Sequence, residues 1–229
     1  MSAQWQRVAV GVLAGAVAVG LLVASLFGIA GRWDWIGGWS YVGLATVGET
    51  ARTLYLWRKS PGLLVRRGRI GAGTKAWDKV VLGLFGLAYL GILAVAAADE
   101  RHGWSAMSGW LWPVGLLLYA VHVAIVTAAM AVNPYFEKTV RIQHERGHRV
   151  IDSGPYRVIR HPGYLATILG LIFSAPLLLG SWWAFLPACG AALLLVVRTA
   201  LEDRTLRLEL AGYEEYVRRV RFRLVPGVW

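Results

Sequence analysis

The chain has 229 residues, 57% of them hydrophobic and only 16% charged, with a mean hydropathy of +0.51. Soluble domains run at about 45–50% apolar and about 25% charged, so soluble, disordered, collagen-like and disulfide-built chains are excluded and a polytopic membrane protein is implied. The net charge of +11 would suit nucleic acid, but basic residues in a membrane protein chiefly record topology, and no nucleic-acid partner is expected. The single cysteine, Cys189, lies in an apolar run and forms no intrachain disulfide.

A spanning helix needs about 20 mainly apolar residues. Val8 to Ala30 supplies the first such run without a charge; it is too long for the roughly 7–15-residue core of a signal peptide and reads as a retained helix. Its Gly11-x3-Gly15 pair is a potential close-packing face, which leaves the oligomeric state open. Trp35 to Trp57 is a weaker second run, interrupted by Glu49 and Arg52, whereas Val80 to Ala98 and Trp110 to Val132 are clean. Asn133-Pro134 ends the fourth, because proline disfavours helix in the residue before it. Tyr164 to Val197, broken near Pro176, Gly180 and Ser181, predicts a hairpin whose arms of about 15 residues only just reach the far side. Trp182 and Trp183 then mark an interfacial tip.

Lys and Arg fix the orientation. Residues 52–79 carry eight, 138–160 six and 198–223 seven, together 21 of the chain's 24. The alternation predicts that both termini and both basic loops face the cytoplasm. Ser60-Pro61-Gly62 and the Gly68 to Gly73 stretch predict an irregular first loop, in which Arg66, Arg67 and Arg69 read as a solvated face. Arg218, Arg219, Arg221 and Arg223 read as contacts to anionic lipid headgroups. The fold expected is all-α: a polytopic membrane helical bundle of four transmembrane helices plus a C-terminal helical hairpin, with a cytoplasmic loop and C-terminal segment.

Polar residues of the last hundred positions gather at one end of this bundle: Gln143, His144, Glu145, His148, Tyr156, Arg157, Arg160, His161 and Tyr164, then Arg198, Glu202, Asp203 and Arg204. The hairpin brings its two ends together, so Arg160, His161 and Tyr164 should neighbour Arg198 and Glu202. Such a cluster at the membrane mouth points to a functional site. Against this, Arg198 and Glu202 could be an ordinary i, i+4 pair, and His161 before Pro162 could simply cap a helix. His102 and His122 receive no role. No metal ligand set is expected, since His144 and His148 are four apart but lack a nearby cysteine or third ligand.

The string Gly154-Pro155-Tyr156-Arg157-Val158-Ile159-Arg160-His161-Pro162-Gly163-Tyr164, followed by an apolar hairpin and Arg198-x3-Glu202, resembles the isoprenylcysteine carboxyl methyltransferases and their prokaryotic relatives. The likeness covers roughly residues 133–229, which divides the chain into N-terminal helices (1–132) and a catalytic region (133–229). It implies an S-adenosylmethionine (SAM) site with cofactor contacts at Gln143, His148, Arg149, Val150, Ile151, Tyr156, His161, Pro162, Gly163, Tyr164 and Glu202. It implies catalytic roles for Arg198, Glu202 and His161, with Arg198 binding a substrate carboxylate. The implied acceptor is a lipophilic small molecule or prenylated substrate, reached from among membrane lipids.

The chemistry is coherent residue by residue. Glu202 suits a cationic amino acid head, the His148 to Ile151 backbone suits polar edges, and Tyr156 and Tyr164 suit flat or cationic parts. A carboxylate nucleophile is already ionised, so the site must chiefly align the reactants and exclude water. Three alternatives stay open. The same fold could methylate a thiol or a phospholipid amine, it could be an NADPH-dependent sterol-type reductase with Arg146, Arg149 and Arg157 on the 2′-phosphate, or the chain could be a non-catalytic membrane protein in which Arg198 and Glu202 merely pair.

Overall fold

The computed structural model describes residues 3–60, 62–64 and 71–229. Pro61, Gly68 and the Arg66, Arg67 and Arg69 cluster lie outside the described residues. The chain is helical, with no strand among the described residues: α1 (Ala3–Ala30), α2 (Ile36–Lys59), α3 (Ala76–His102), α4 (Trp112–Val132), α5 (Pro162–Leu179), α6 (Phe185–Glu209) and α7 (Tyr213–Arg219). Five of these are long and apolar enough to cross a membrane: α1, α3, α4, α5 and α6. The chain is therefore built as a polytopic helical bundle. α2 is long enough but carries Glu49 and Arg52 at its centre, and both face the large cavity described below.

The helices pack through a shared core containing Phe27, Tyr41, Ile92, Ile172 and Leu178, each nearly or fully buried. α3 lies along α6, and the fully buried Ala96, Ala97, Ala188 and Ala191 let their backbones approach closely. α4 meets α5 more tightly still. A Cβ at Gly170 would fall 1.9 Å from the His122 Cβ, so only glycine allows this crossing. Val12, Leu13, Val17 and Leu21 of α1 point outward, as expected for a helix whose apolar surface is covered by lipid.

Asn133 does end α4, donating its backbone N–H to the Ala129 carbonyl at 3.1 Å and then turning out of the helix. The hairpin departs from the expected pair of short arms. Pro176 lies inside α5, and the chain turns at Gly180, whose φ of 75° favours glycine. The Thr167–Ile172 part of α5 is a π-helical turn. α6 runs 25 residues, about 37 Å at 1.5 Å per residue. It does not stop at Val197 because Arg198, Glu202 and Asp203 all find polar partners inside the bundle.

At the hairpin tip, Asp99 of α3 is buried and accepts from the Ser105 backbone N–H (2.8 Å) and the Ser181 hydroxyl (2.6 Å). This leaves Trp182 and Trp183 exposed beside it.

Candidate functional site

The chain between α4 and α5 has only two short 3-10 turns, so its shape depends on side-chain bonds. The Asn133 carboxamide accepts from the Tyr135 N–H at 2.9 Å and donates to the Tyr156 hydroxyl at 3.0 Å. The Gln143 amide donates to the Tyr135 carbonyl at 2.9 Å, and Arg146 donates to the Gln143 side-chain oxygen and to the Pro134 carbonyl. Lys75 at the start of α3 donates its N–H to the Val140 carbonyl at 3.1 Å. The loop is thereby folded over the open end of the helices.

The C-terminal segment closes the other side. Arg160 and His161 donate their backbone N–H groups to the Phe222 and Arg223 carbonyls, both at 3.0 Å, and the Tyr216 hydroxyl donates to the Tyr156 carbonyl at 2.7 Å. Arg223, expected at the headgroups, instead turns inward. It donates to Asp203 at 2.9 Å and lies over the Trp229 ring. A buried carboxylate at the centre of the tail offers Arg223 a stronger partner than water does.

Loop, hairpin and tail enclose a cavity of about 630 Å³ that runs from the polar loop down between α2, α3, α4 and α5. Ten of the residues expected in the site line it: His148, Arg149, Val150, Ile151, Tyr156, His161, Gly163, Tyr164, Arg198 and Glu202. Gln143 and Pro162 do not. Gln143 is buried behind the wall and braces the loop, while Pro162 opens α5.

Arg198 does not pair with Glu202. Its Nε and Nη2 donate to the two carboxylate oxygens of Asp78 at 2.7 and 3.2 Å, and Nη2 also donates to the Lys138 carbonyl at 2.7 Å. Asp78 is fully buried and accepts in addition from the Val140 N–H at 2.7 Å. The guanidinium lies over the Tyr164 ring, 5.2 Å from its centre, and its Nη1 makes no hydrogen bond among the described residues. Glu202 instead accepts from the Tyr164 hydroxyl.

His161 precedes the first residue of α5, but its side chain makes no cap. The ring stacks on Tyr164 and places Nε2 3.4 Å from Asp203 and 3.5 Å from the Tyr213 hydroxyl. Asp203, fully buried, also gathers Arg160 at 2.7 Å, Arg207 at 3.3 Å and the Tyr213 hydroxyl at 3.0 Å. Burial, followed by the Asp203 charge, pushes the Tyr213 hydroxyl well above its ordinary value, so it acts as a donor throughout the ordinary pH range. In the loop, His148 packs on the Tyr135 ring. Burial first, then Arg146 and Arg141, push its pKa down to about 4, leaving a neutral ring against the cavity.

Several lining residues escape a reading of local pattern. Asp78 looks like an ordinary acid in the first turn of a span, and its partner is 120 positions away. His122 looks like a lone polar residue in an apolar helix, but it lines the cavity and its Nδ1 lies 3.1 Å from the Ala166 carbonyl. Glu49 and Arg52 show only as blemishes in a weak span. Arg146, Arg149 and Arg157 do not form one cluster: Arg149 lines the cavity, Arg146 is tied to the loop backbone, and Arg157 does not line it.

Residues 114–208 match the model of the isoprenylcysteine carboxyl methyltransferase (ICMT) family. That stretch holds Gln143 to Asp203 and leaves out Glu49, Arg52 and Asp78. No curated protein matches the chain.

Proposed function

We propose, for a chain whose residues 114–208 form an isoprenylcysteine carboxyl methyltransferase family region, an integral-membrane methyltransferase that uses SAM. Its acceptor is a carboxylate, or a related nucleophile, on a lipophilic molecule. The observation that carries this reading is the single cavity lined both by the polar loop residues His148 to Ile151 and by apolar residues of the bundle such as Leu82, Phe85 and Leu171. One end suits a polar cosubstrate and the other a lipophile, within the roughly 300–1,000 Å³ usual for small-molecule sites.

The residues present fit SAM. Glu202, held by the Tyr164 hydroxyl, supplies a carboxylate for a cationic amino group. The His148 to Ile151 segment supplies backbone donors and acceptors, and Tyr156 and Tyr164 supply ring faces. When bound, SAM supplies a methyl group on a sulfonium. The protein's part is to hold two reactants in line and keep water out. An ionised carboxylate needs no proton removed, so no residue is assigned as a general base.

Arg198 lines the cavity, Asp78 holds its Nε–Nη2 edge, and Nη1 is the nitrogen left over for an acceptor. One N–H of a guanidinium locked this way orients an acceptor carboxylate without a rotamer search. In this reading both basic loops and both termini lie in the cytoplasm, SAM arrives from that side, and the acceptor arrives laterally from the bilayer. Residues 1–132 form the helical frame and 133–229 the catalytic region.

The acceptor class is tested with methyl-labelled SAM and three compounds sharing one long alkyl chain and ending in a carboxylate, a thiol or a phosphoethanolamine. The carboxylate compound should take up label. Transfer to the thiol or the amine alone would move the acceptor class while keeping the cosubstrate.

A further inference from the structure

We infer that the acceptor carries a hydrogen-bond donor, a hydroxyl or an amino group, on the part of its chain that lies deep in the cavity against Glu49 and His122. The inference rests on the methyltransferase reading above and concerns the acceptor rather than the cosubstrate.

A cavity built for a plain hydrocarbon chain needs only walls such as Leu82, Phe85, Val126 and Leu171, all of which are present. Three further groups face the same space and have no use for hydrocarbon: Glu49, its ion-pair partner Arg52 and His122. The Glu49 side chain keeps 50% of its surface open although it lies midway along α2. Its ion-pair partner Arg52 is itself largely covered, at 17%.

His122 is only 4% exposed and lines the cavity. Its Nδ1 lies 3.1 Å from the Ala166 carbonyl. A carbonyl oxygen only accepts, so Nδ1 carries the proton, and Nε2 of the neutral ring is a lone pair. That lone pair meets no hydrogen bond among the described residues.

A carboxylate and an imidazole lone pair are both acceptors. Leaving the buried His122 Nε2 acceptor unmade costs about 1–3 kcal/mol, and polar groups at membrane depth mark sites of function. The ligand chemistry that satisfies both is an N–H or O–H donor. The neighbouring packing keeps these groups in place. The Tyr119 ring lies 6.0 Å from the His122 ring, and its hydroxyl abuts Gly48, where an added Cβ would come within 2.7 Å of it. His122 in turn is clamped by Gly170.

The test uses the full chain in lipid nanodiscs and a series of long-chain alkyl carboxylates. The parent has a plain alkyl chain; its analogues carry one hydroxyl, or one amino group, on the fourth, eighth or twelfth carbon. Affinity is read by calorimetry. One analogue should bind about fivefold tighter than the parent if the donor is a hydroxyl, and about tenfold or more if it is an amine facing Glu49. The gain should disappear in His122→Phe for the hydroxyl arm and in Glu49→Gln for the amine arm.

SAM affinity, measured in the same samples, reports whether each variant is folded. No analogue binding tighter than the parent, binding of none of the compounds, or a gain that survives both substitutions would overturn the inference. Absence of SAM binding by the unaltered protein would instead overturn the methyltransferase reading.

Discussion

Arg198 and Asp78 form a buried, two-point ion pair, 2.7 and 3.2 Å long, that joins α6 to α3. The pair links the part of the chain matched by the family model to a helix outside it. It also changes what Arg198 can do. The Nε–Nη2 fork is taken up by Asp78, so only the other edge of a guanidinium whose position is already fixed is left for a further partner.

Asp78→Asn should therefore damage both stability and turnover. Removing one member of a buried pair leaves an uncompensated charge, typically at a cost of about 3–5 kcal/mol. Thermal unfolding in detergent should show a clear drop, and any remaining activity should show a raised KM for the acceptor with a smaller change for SAM. In the double variant Asp78→Asn, Arg198→Gln the losses should be less than additive. Strict additivity would mean that the two residues act separately.

Glu202→Gln should weaken SAM binding by about tenfold or more, the range for a lost hydrogen bond to a charged group. Tyr164→Phe should weaken it less, because the carboxylate remains but loses the hydroxyl that orients it. An unchanged SAM affinity in Glu202→Gln would remove this residue from the cosubstrate site.

Acid should loosen the loop through His148. Its folded value is pushed down to about 4 from an ordinary 6.5, so between those values the unfolded loop binds a proton that the folded loop refuses. The stabilisation is complete above about 6.5 and is lost as pH falls toward about 4. SAM affinity should decline over that window and decline less in His148→Asn. A flat profile between pH 6.5 and 4.5 would rule out this coupling.

The tip of the hairpin offers a control far from the cavity. Asp99 accepts from Ser105 and Ser181 while buried, so Asp99→Ala strands those donors at a cost of about 1–3 kcal/mol. The melting temperature should fall while SAM affinity in the surviving folded protein stays the same. A fall in affinity without a fall in melting temperature would tie the tip to the site.

Much of the fold was legible because spans and positive loops are written in runs of ten to twenty residues. The four N-terminal helices, the hairpin and the stop at Asn133 all follow from such local signals. The length of α6 does not: Arg198, Glu202 and Asp203 look like the end of an apolar run until their partners are in view. The same limit applies to the site. His148, Tyr164, Arg198 and Glu202 stand in a recognisable string, and the structure gathers them around one cavity.

Asp78, His122 and the inward turn of Arg223 depend on pairing across distant segments, which no spacing rule encodes. His161 shows the difference most plainly. Its position before Pro162 suggests a cap, yet its ring faces Asp203 and Tyr213 because the tail folds back over it.

The most direct measurement is isothermal calorimetry of the detergent-purified protein against SAM and, separately, against NADPH. A SAM-dependent methyltransferase should bind SAM at micromolar concentration, lose that binding in Glu202→Ala, and leave NADPH unbound. Binding of NADPH alone would contradict the methyltransferase reading, reassign Arg198 and Glu202 to a reductase site, and make an enone the substrate to test.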